Sequence, residues 1–415
     1  MRPRNFLITV CSFLFLTTPS EAQEEKLTLE AALSRAFAGS PELRKTEARL
    51  ESAQYTWRLE TGLVSPEISY FREGMSREGN IPFEEQRIAL TQTLESPLAT
   101  RSRIRAARLD VEILEAEKEA FEKQLQAEVK SNYVEILYAT RNMDLRKSQL
   151  DLAMELYNAV LTRQEAGMAT GLDLLNAELQ LAEARNDLDN TTRELHLARY
   201  NLFRSIGLPP EEQKYSITFS DTLFIRTGKI DQLYAMDKIE EQPQYLSARQ
   251  ELEKTILLEK SLRQDLLPSF YLSYYLQDYG TGWDQTGFEA GVQLPLWHGI
   301  EQKGKIRMVR AMQDHNNWNL EAIRLDMKRE IEHAWHSYDE YRKMVERFQE
   351  TIASSSQQLL ELTLEAYRIG EIDLLNLLNA QQVYLTSRQR FLSALRQFYL
   401  QAVQLEKFLP DEIVY

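Results

Sequence analysis

Two stretches of this chain decide how the rest of it is read. The first is Gly167-Met-Ala-Thr-Gly-Leu-Asp-Leu-Leu-Asn-Ala-Glu178, and the second is Gly370-Glu-Ile-Asp-Leu-Leu-Asn-Leu-Leu-Asn-Ala-Gln381. Both fit G-x5-[DN]-L-L-N-A-[EQ], at an offset of 203 residues. The correspondence runs on downstream. Leu174, Ala177, Leu181, Ala184, Leu188, Thr191, Leu195, Ala198 and Leu202 step by three and four. Leu377, Ala380, Tyr384, Ser387, Phe391, Ala394, Phe398, Gln401 and Leu405 keep the same register. Alternating steps of three and four put one seam on one face of a helix, the pattern of coiled-coil packing. Ala and Ser in the seam let neighbouring helices come close. A glycine ahead of each seam marks a turn between two helices.

Upstream, each half carries two β-like runs. Pro66 heads EISYFREG, and EQRIALTQTL follows at 85–94; Pro268 heads SFYLSYYLQDYG, and TGFEAGVQL follows at 286–294. Strands are expected near 66–74, 85–94, 268–279 and 286–294. In the second half Phe270, Leu272, Tyr274 and Leu276 share one face, against Ser269, Ser273 and Gln277 on the other. Phe288, Ala290, Val292 and Leu294 likewise oppose Glu289, Gly291 and Gln293. Period-two alternation means a strand with one apolar face. Lipid is the expected partner of that face, because the strand pairs stand isolated between helices.

Between hairpin and motif, Thr100 to Ala166 and Lys305 to Ile369 contain neither Pro nor Gly. Such spans predict rods of about 100 Å at ~1.5 Å rise per residue. The whole chain of 415 residues has only 15 Gly and 12 Pro, so long elements dominate. Four strands cannot close a membrane barrel, which needs at least about eight. An open sheet leaves unpaired edges in hydrocarbon, so the strand count itself predicts oligomerisation, with three chains supplying twelve.

The N-terminus reads as an address. Arg2 and Arg4 precede the apolar run Phe6 to Leu16, and Ser20-Glu21-Ala22 offers a cleavage site, so residues 1–22 are expected to be a signal peptide. The single cysteine, Cys11, lies within it. A net charge of −14, from 63 acidic and 49 basic residues, argues against a nucleic-acid partner. Glu330, His333 and His336 suggest half of a di-iron bundle motif, but its second Glu-x-x-His is missing. No P-loop, no G-x-G-x-x-G and no zinc-type cysteine pair occurs. The expectation is no enzyme, no catalytic residue, no metal site and no cofactor.

Duplicated motifs, one strand pair per repeat and long helices together resemble the TolC family of outer membrane efflux proteins. The segment Ala366 to Gln381 looks most like its heavy-metal branch, typified by CzcC and CusC. The resemblance covers about residues 27–410. It implies a mainly α fold with a small β part, a duplicated long-helix coiled-coil unit with two β-hairpins. Three copies would form a trimeric α-barrel plus a 12-stranded membrane β-barrel. The domains expected are a first repeat at 23–210, a linker or equatorial segment at 211–240 and a second repeat at 241–415.

Functionally, the resemblance implies the outer membrane channel of a tripartite efflux system in a Gram-negative bacterium. Such a passive duct would run from periplasm or pump to the outside, for metal ions or small toxic compounds. Its implied partners are two further copies of itself, outer membrane lipid, a periplasmic adaptor and an inner-membrane pump of RND type. The family closes its periplasmic end at the rod tips. Its gate positions fall here on Asn376 and Asn379, where better known members carry acids. Gly167, Asp173, Asn176, Gly370, Glu371 and Asp373 complete the candidate tip. Tyr70, Phe71, Tyr271, Tyr275, Tyr279, Trp283 and Trp297 flank the hairpins as a candidate aromatic belt at the membrane interface. The competing reading is a periplasmic coiled-coil adaptor or structural protein.

Overall fold

A computed structural model of the chain describes residues 25–74, 83–211, 217–220, 232–294, 299–410 and 412–415. The expected signal peptide at 1–22 lies outside them. In chain order the elements begin with β1 (Glu25–Leu27), α1 (Leu29–Gly39), α2 (Pro41–Thr56), β2 (Glu67–Glu73) and β3 (Glu85–Leu94). They continue with α3 (Pro97–Glu165), α4 (Gly171–Ser205), β4 (Ile217–Phe219), α5 (Gln232–Asp237) and α6 (Pro243–Gln264). The second half closes with β5 (Ser269–Asp278), β6 (Gln285–Gln293), α7 (Gly299–Arg347), α8 (Ala353–Ile369) and α9 (Leu374–Glu406).

The long rods have simple causes. Pro97 stands at the first turn of α3, where its missing N–H costs nothing, and no breaker follows for 69 residues. The second rod is helical from Gly299 to Ile369, but it is interrupted by a single π-turn at Phe348–Ile352. There Phe348 is buried and stacks on Phe391 of α9, with centroids 4.1 Å apart. Helices this long are held by their neighbours more than by their own propensity. The seam supplies that hold. None of its nine positions on α4 is exposed, and none of the nine on α9. Its small residues Ala177, Ala184 and Ala198 are buried, as are Ala380 and Ala394.

Halfway along the rods lies the largest core. Leu27, Tyr133, Ile136, Leu202, Phe203, Val403, Leu405 and Val414 meet there. The expected linker contributes β4, which pairs in parallel with β1. Tyr133 ties the two together, its hydroxyl donating to the Leu27 carbonyl at 2.9 Å and accepting from the Ser220 N–H at 2.9 Å. Lys130, 1% exposed, holds the C-terminal segment onto α3. It is ion-paired with Glu406 and donates to the Val414 carbonyl at 2.7 Å. Glu406 in turn accepts from the N–H groups of Ile413 and Val414.

At the other end of the rods the two hairpins join into one antiparallel sheet of order β2-β3-β5-β6. The middle contact, β3 with β5, joins the repeats: Leu90 faces Tyr274 and Thr91 faces Ser273. Among the described residues β2 and β6 are left as open edges.

Removing one partner of a buried ion pair strands the other charge. Lys130→Met is therefore expected to cost about 3–5 kcal/mol, read as a lower denaturant midpoint with an unchanged slope.

Candidate functional site

Two regions of the molecule carry more polar organisation than packing requires: the rod tips and one face of the sheet. The tips are built alike. α3 runs out at Gly167, whose φ of 73° is the left-handed conformation that glycine takes without strain. The Met168 N–H then reaches back to the Arg163 carbonyl at 2.8 Å, and the Gly167 N–H to that of Gln164 at 2.9 Å. At the second tip Gly370 has φ 83°, with Glu371 bonded to Ala366 and Gly370 to Tyr367. The same six-residue closure thus ends both rods.

The next helices also start in the same register, with different residues. Thr170 is the N-cap of α4, and its hydroxyl accepts from the Asp173 N–H at 3.2 Å. Asp173 answers by accepting from the Thr170 N–H at 2.8 Å and its hydroxyl at 2.7 Å, a reciprocal capping box. At the equivalent place in the second repeat Asp373 is the N-cap of α9, and it accepts from the Asn376 N–H at 2.9 Å. Hydrogen bonds from the Thr170 backbone and side chain hold the Asp173 carboxyl below its ordinary value, and Arg163 adds a smaller push in the same direction. Asn176, Glu371, Asn376 and Asn379 turn exposed side chains to the surroundings, with no side-chain partner among the described residues.

One contact at the tips was not expected from the sequence. Arg163 donates to the Tyr367 carbonyl at 3.1 Å and lies over the Tyr367 ring, 5.0 Å from its centroid. It therefore ties the end of the first rod to the end of the second. Tyr367 is buried beside Leu156, Val160, Leu374 and Leu377. No repeat signal marks this pair, because Arg163 has no basic counterpart at the matching place in the second repeat.

Strand pairing sorts the sheet into two faces. Ile68, Tyr70, Ile88, Leu90, Phe270, Leu272, Tyr274, Leu276, Phe288 and Val292 lie on one, and all are exposed. The other carries Glu67, Ser69, Arg87, Thr91, Ser273, Gln277 and Glu289. Polar groups there are already paired: Thr91 with Ser273 at 2.9 Å, and Tyr271 with Glu289 at 3.0 Å.

This division distributes the residues of the expected aromatic belt between the two faces. Tyr70 is on the apolar face, and Tyr279 and Trp283 are exposed at the β5–β6 turn. Phe71, Tyr271 and Tyr275 point to the polar face instead, because odd-numbered and even-numbered residues of a strand face opposite ways. Tyr275 lies flat over Gly287 and Tyr271 over Gly291, so closely that a methyl group on either glycine would overlap the ring. Arg87 stacks between Phe71 and Tyr275, 5.7 Å and 5.2 Å from their centroids. Trp297 lies outside the described residues. Away from both regions, Glu330 is ion-paired with Lys407 at 2.7 Å, and His336 packs on Trp335.

Known proteins place this arrangement. Residues 32–208 match the family described as outer membrane efflux protein. That match spans most of the first half of the chain. Over 390 residues the chain is 22% identical to the cobalt-zinc-cadmium resistance protein CzcC of Cupriavidus metallidurans, covering 92% of this chain and 90% of that one. It is also 22% identical to the outer membrane efflux protein BepC of Brucella suis, over 86% of this chain and 81% of BepC. Its fold is that of the outer membrane protein VceC from Vibrio cholerae, with a TM-score of 0.79 at 17% identity, covering 92% and 95% of the two chains. Within this chain the sheet is one open four-stranded piece.

Loss of an N-cap side chain costs about 1 kcal/mol at a helix start, so Thr170→Ala is expected to speed hydrogen exchange at the Asp173 amide several-fold. The Asp173 contribution is complete at neutral pH and fades as pH falls through the carboxylate range, since its folded value is depressed. Asp173→Asn is expected to abolish that acid-dependent rise in exchange.

Proposed function

We propose that the chain is one third of an outer membrane efflux channel, a passive duct that continues from a membrane barrel into a helical tunnel across the periplasm. The observation that carries this reading is the sheet. Its apolar face is exposed throughout, with Phe288 67% and Ile68 76% accessible, and its edges β2 and β6 are unpaired within the protomer. In hydrocarbon the apolar face costs nothing, but each unpaired backbone group costs several kcal/mol. Pairing β2 of one copy with β6 of the next removes both edges, and three copies close a barrel of twelve strands. The polar face then lines the lumen, with Tyr271, Tyr275 and Arg87 turned into the channel.

The rods support the same assembly. Leu172, Leu175 and Leu179 form an exposed apolar stripe on α4, and Leu362, Ile369 and Leu375 are exposed at the second tip. Neighbouring copies would cover them. A three-fold axis gathers Asp173, Glu371 and Asp373 three times each at the periplasmic mouth. Asp173 and Asp373 spend part of their charge on helix caps, so Glu371 is the freest carboxylate of the three. The Arg163–Tyr367 contact holds the two tips of one copy together and serves as a closing tie.

The duct reading assigns no catalysis and no cofactor to this chain. Energy and cargo selection would rest with an inner-membrane pump, of RND type, and a periplasmic adaptor. The likeness to the cobalt-zinc-cadmium resistance protein CzcC favours metal ions as cargo, with small toxic compounds as the second class.

Fractionation and electrophysiology test the reading together. The expected result is a heat-modifiable trimer in outer membrane extracts that conducts in planar bilayers and prefers cations. A soluble, elongated monomer would overturn the duct in favour of a periplasmic adaptor. Glu371→Gln with Asp373→Asn is expected to lower the cation preference several-fold. Arg163→Ala is expected to raise the conductance of the closed channel, and an unchanged value would remove the tie from the mechanism.

A further inference from the structure

The sheet does not meet the rods abruptly. Between them lies a zone of exposed apolar side chains, among them Leu59 at 83%, Leu63 at 71% and Ile300 at 89% accessible. Immediately on the rod side of that zone, α3 presents Arg101, Arg105 and Arg108. Steps of four and three put all three on one face of its first turns. All three are exposed and none has an ion-pair partner among the described residues. Their neighbour Arg103 shows the contrast. It turns to the other side and is held by Glu60, Glu95 and Asp265. Arg108 lies over the Trp57 ring, 5.7 Å from its centroid, which leaves its charge uncompensated.

The three arginines line a cleft of about 640 Å³ whose remaining wall includes Leu63, Leu94 and Ile104. Glu95, which also borders the cleft, is taken by Arg103. The orientation of the cleft follows from pairing. Leu94 is bridged to Leu63 and faces Phe270, so it belongs to the apolar face of the sheet. The cleft is therefore continuous with the surface assigned to lipid, one helical turn beyond its end. Apolar walls leading to a cluster of unpaired guanidinium groups match a phospholipid in shape and charge: acyl chains first, then phosphate.

We propose that this cleft is a binding site for the headgroup of an anionic phospholipid in the leaflet that faces the rods. The acyl chains run along the apolar face past Leu63 and Leu94, and Arg101, Arg105 and Arg108 hold the phosphate. The site rests on the duct reading, and it would fix the height and tilt of the barrel in the membrane three times over.

The test compares full-length wild-type trimer with Arg101→Gln/Arg105→Gln/Arg108→Gln and with the single variant Arg105→Gln. Each is placed in vesicles of neutral phosphatidylethanolamine, with or without one fifth phosphatidylglycerol, and its heat-dissociation and retained lipid in native mass spectra are measured. The wild type is expected to dissociate at higher temperature with phosphatidylglycerol and to retain about one such lipid per protomer. Each arginine near an anionic surface is worth about a fivefold change in binding. The single variant is expected to lose about fivefold in lipid retention and the triple variant roughly a hundredfold. Equal retention in wild type and triple variant would overturn the proposal. So would the same stabilisation of wild type in neutral vesicles by inorganic phosphate alone, which would make this a free-anion site. Loss of the trimer by both variants in every lipid would place the arginines in the subunit interface and overturn it as well. Failure of the duct reading shows elsewhere, in a wild-type chain that forms no trimer in any vesicle.

Discussion

The structure depends on one seam. α4 and α9 lie along rods about twice their length because seam residues recur every three or four positions on the face where the helices touch, large and small by turns on α4. Ala177 and Ala184 are 1% exposed. Burial along the seam fixes the register of each helix pair, and register places everything at the ends. The tip glycines close where the seam begins, and α2 and α6 pack on the rods over the stretch that leads to the hairpins.

Each end of the rods then solves a backbone problem in its own way. At the tips, helix-terminal N–H and C=O groups are satisfied locally by the glycine closures and by Thr170, Asp173 and Asp373. In the sheet, local pairing ends at β2 and β6 among the described residues, and under the duct proposal further copies satisfy those edges. The first end can be complete within a protomer, while the second cannot.

Much of this was legible in the residues. The duplicated motif, the seam and the four alternating runs each have a short period, and short periods are local physics. The strands fall at 67–73, 85–94, 269–278 and 285–293, close to where alternation put them. Aromatic character alone does not say which face of the sheet a residue of the expected belt occupies. Tyr271 and Tyr275 neighbour Tyr274 in sequence, yet they lie across the sheet from it, packed on Gly291 and Gly287. A stricter use of the same alternation would have separated them. Two other features left no periodic trace. The π-turn at Phe348–Ile352 follows from the burial and stacking of one ring on Phe391. The Arg163–Tyr367 tie joins residues 204 apart that share no motif.

The sequence by itself determined the rods, the turns between them and the alternation of the strands, because each rests on residues within a few positions of one another. Tertiary structure alone decided which acid caps which helix, which tyrosines face the polar side and which arginines remain unpaired. Arg101, Arg103, Arg105 and Arg108 read alike as letters on one helix. Only the folded arrangement surrounds Arg103 with three carboxylates and leaves the others open beside an apolar cleft, since pairing depends on what distant segments bring within about 4 Å.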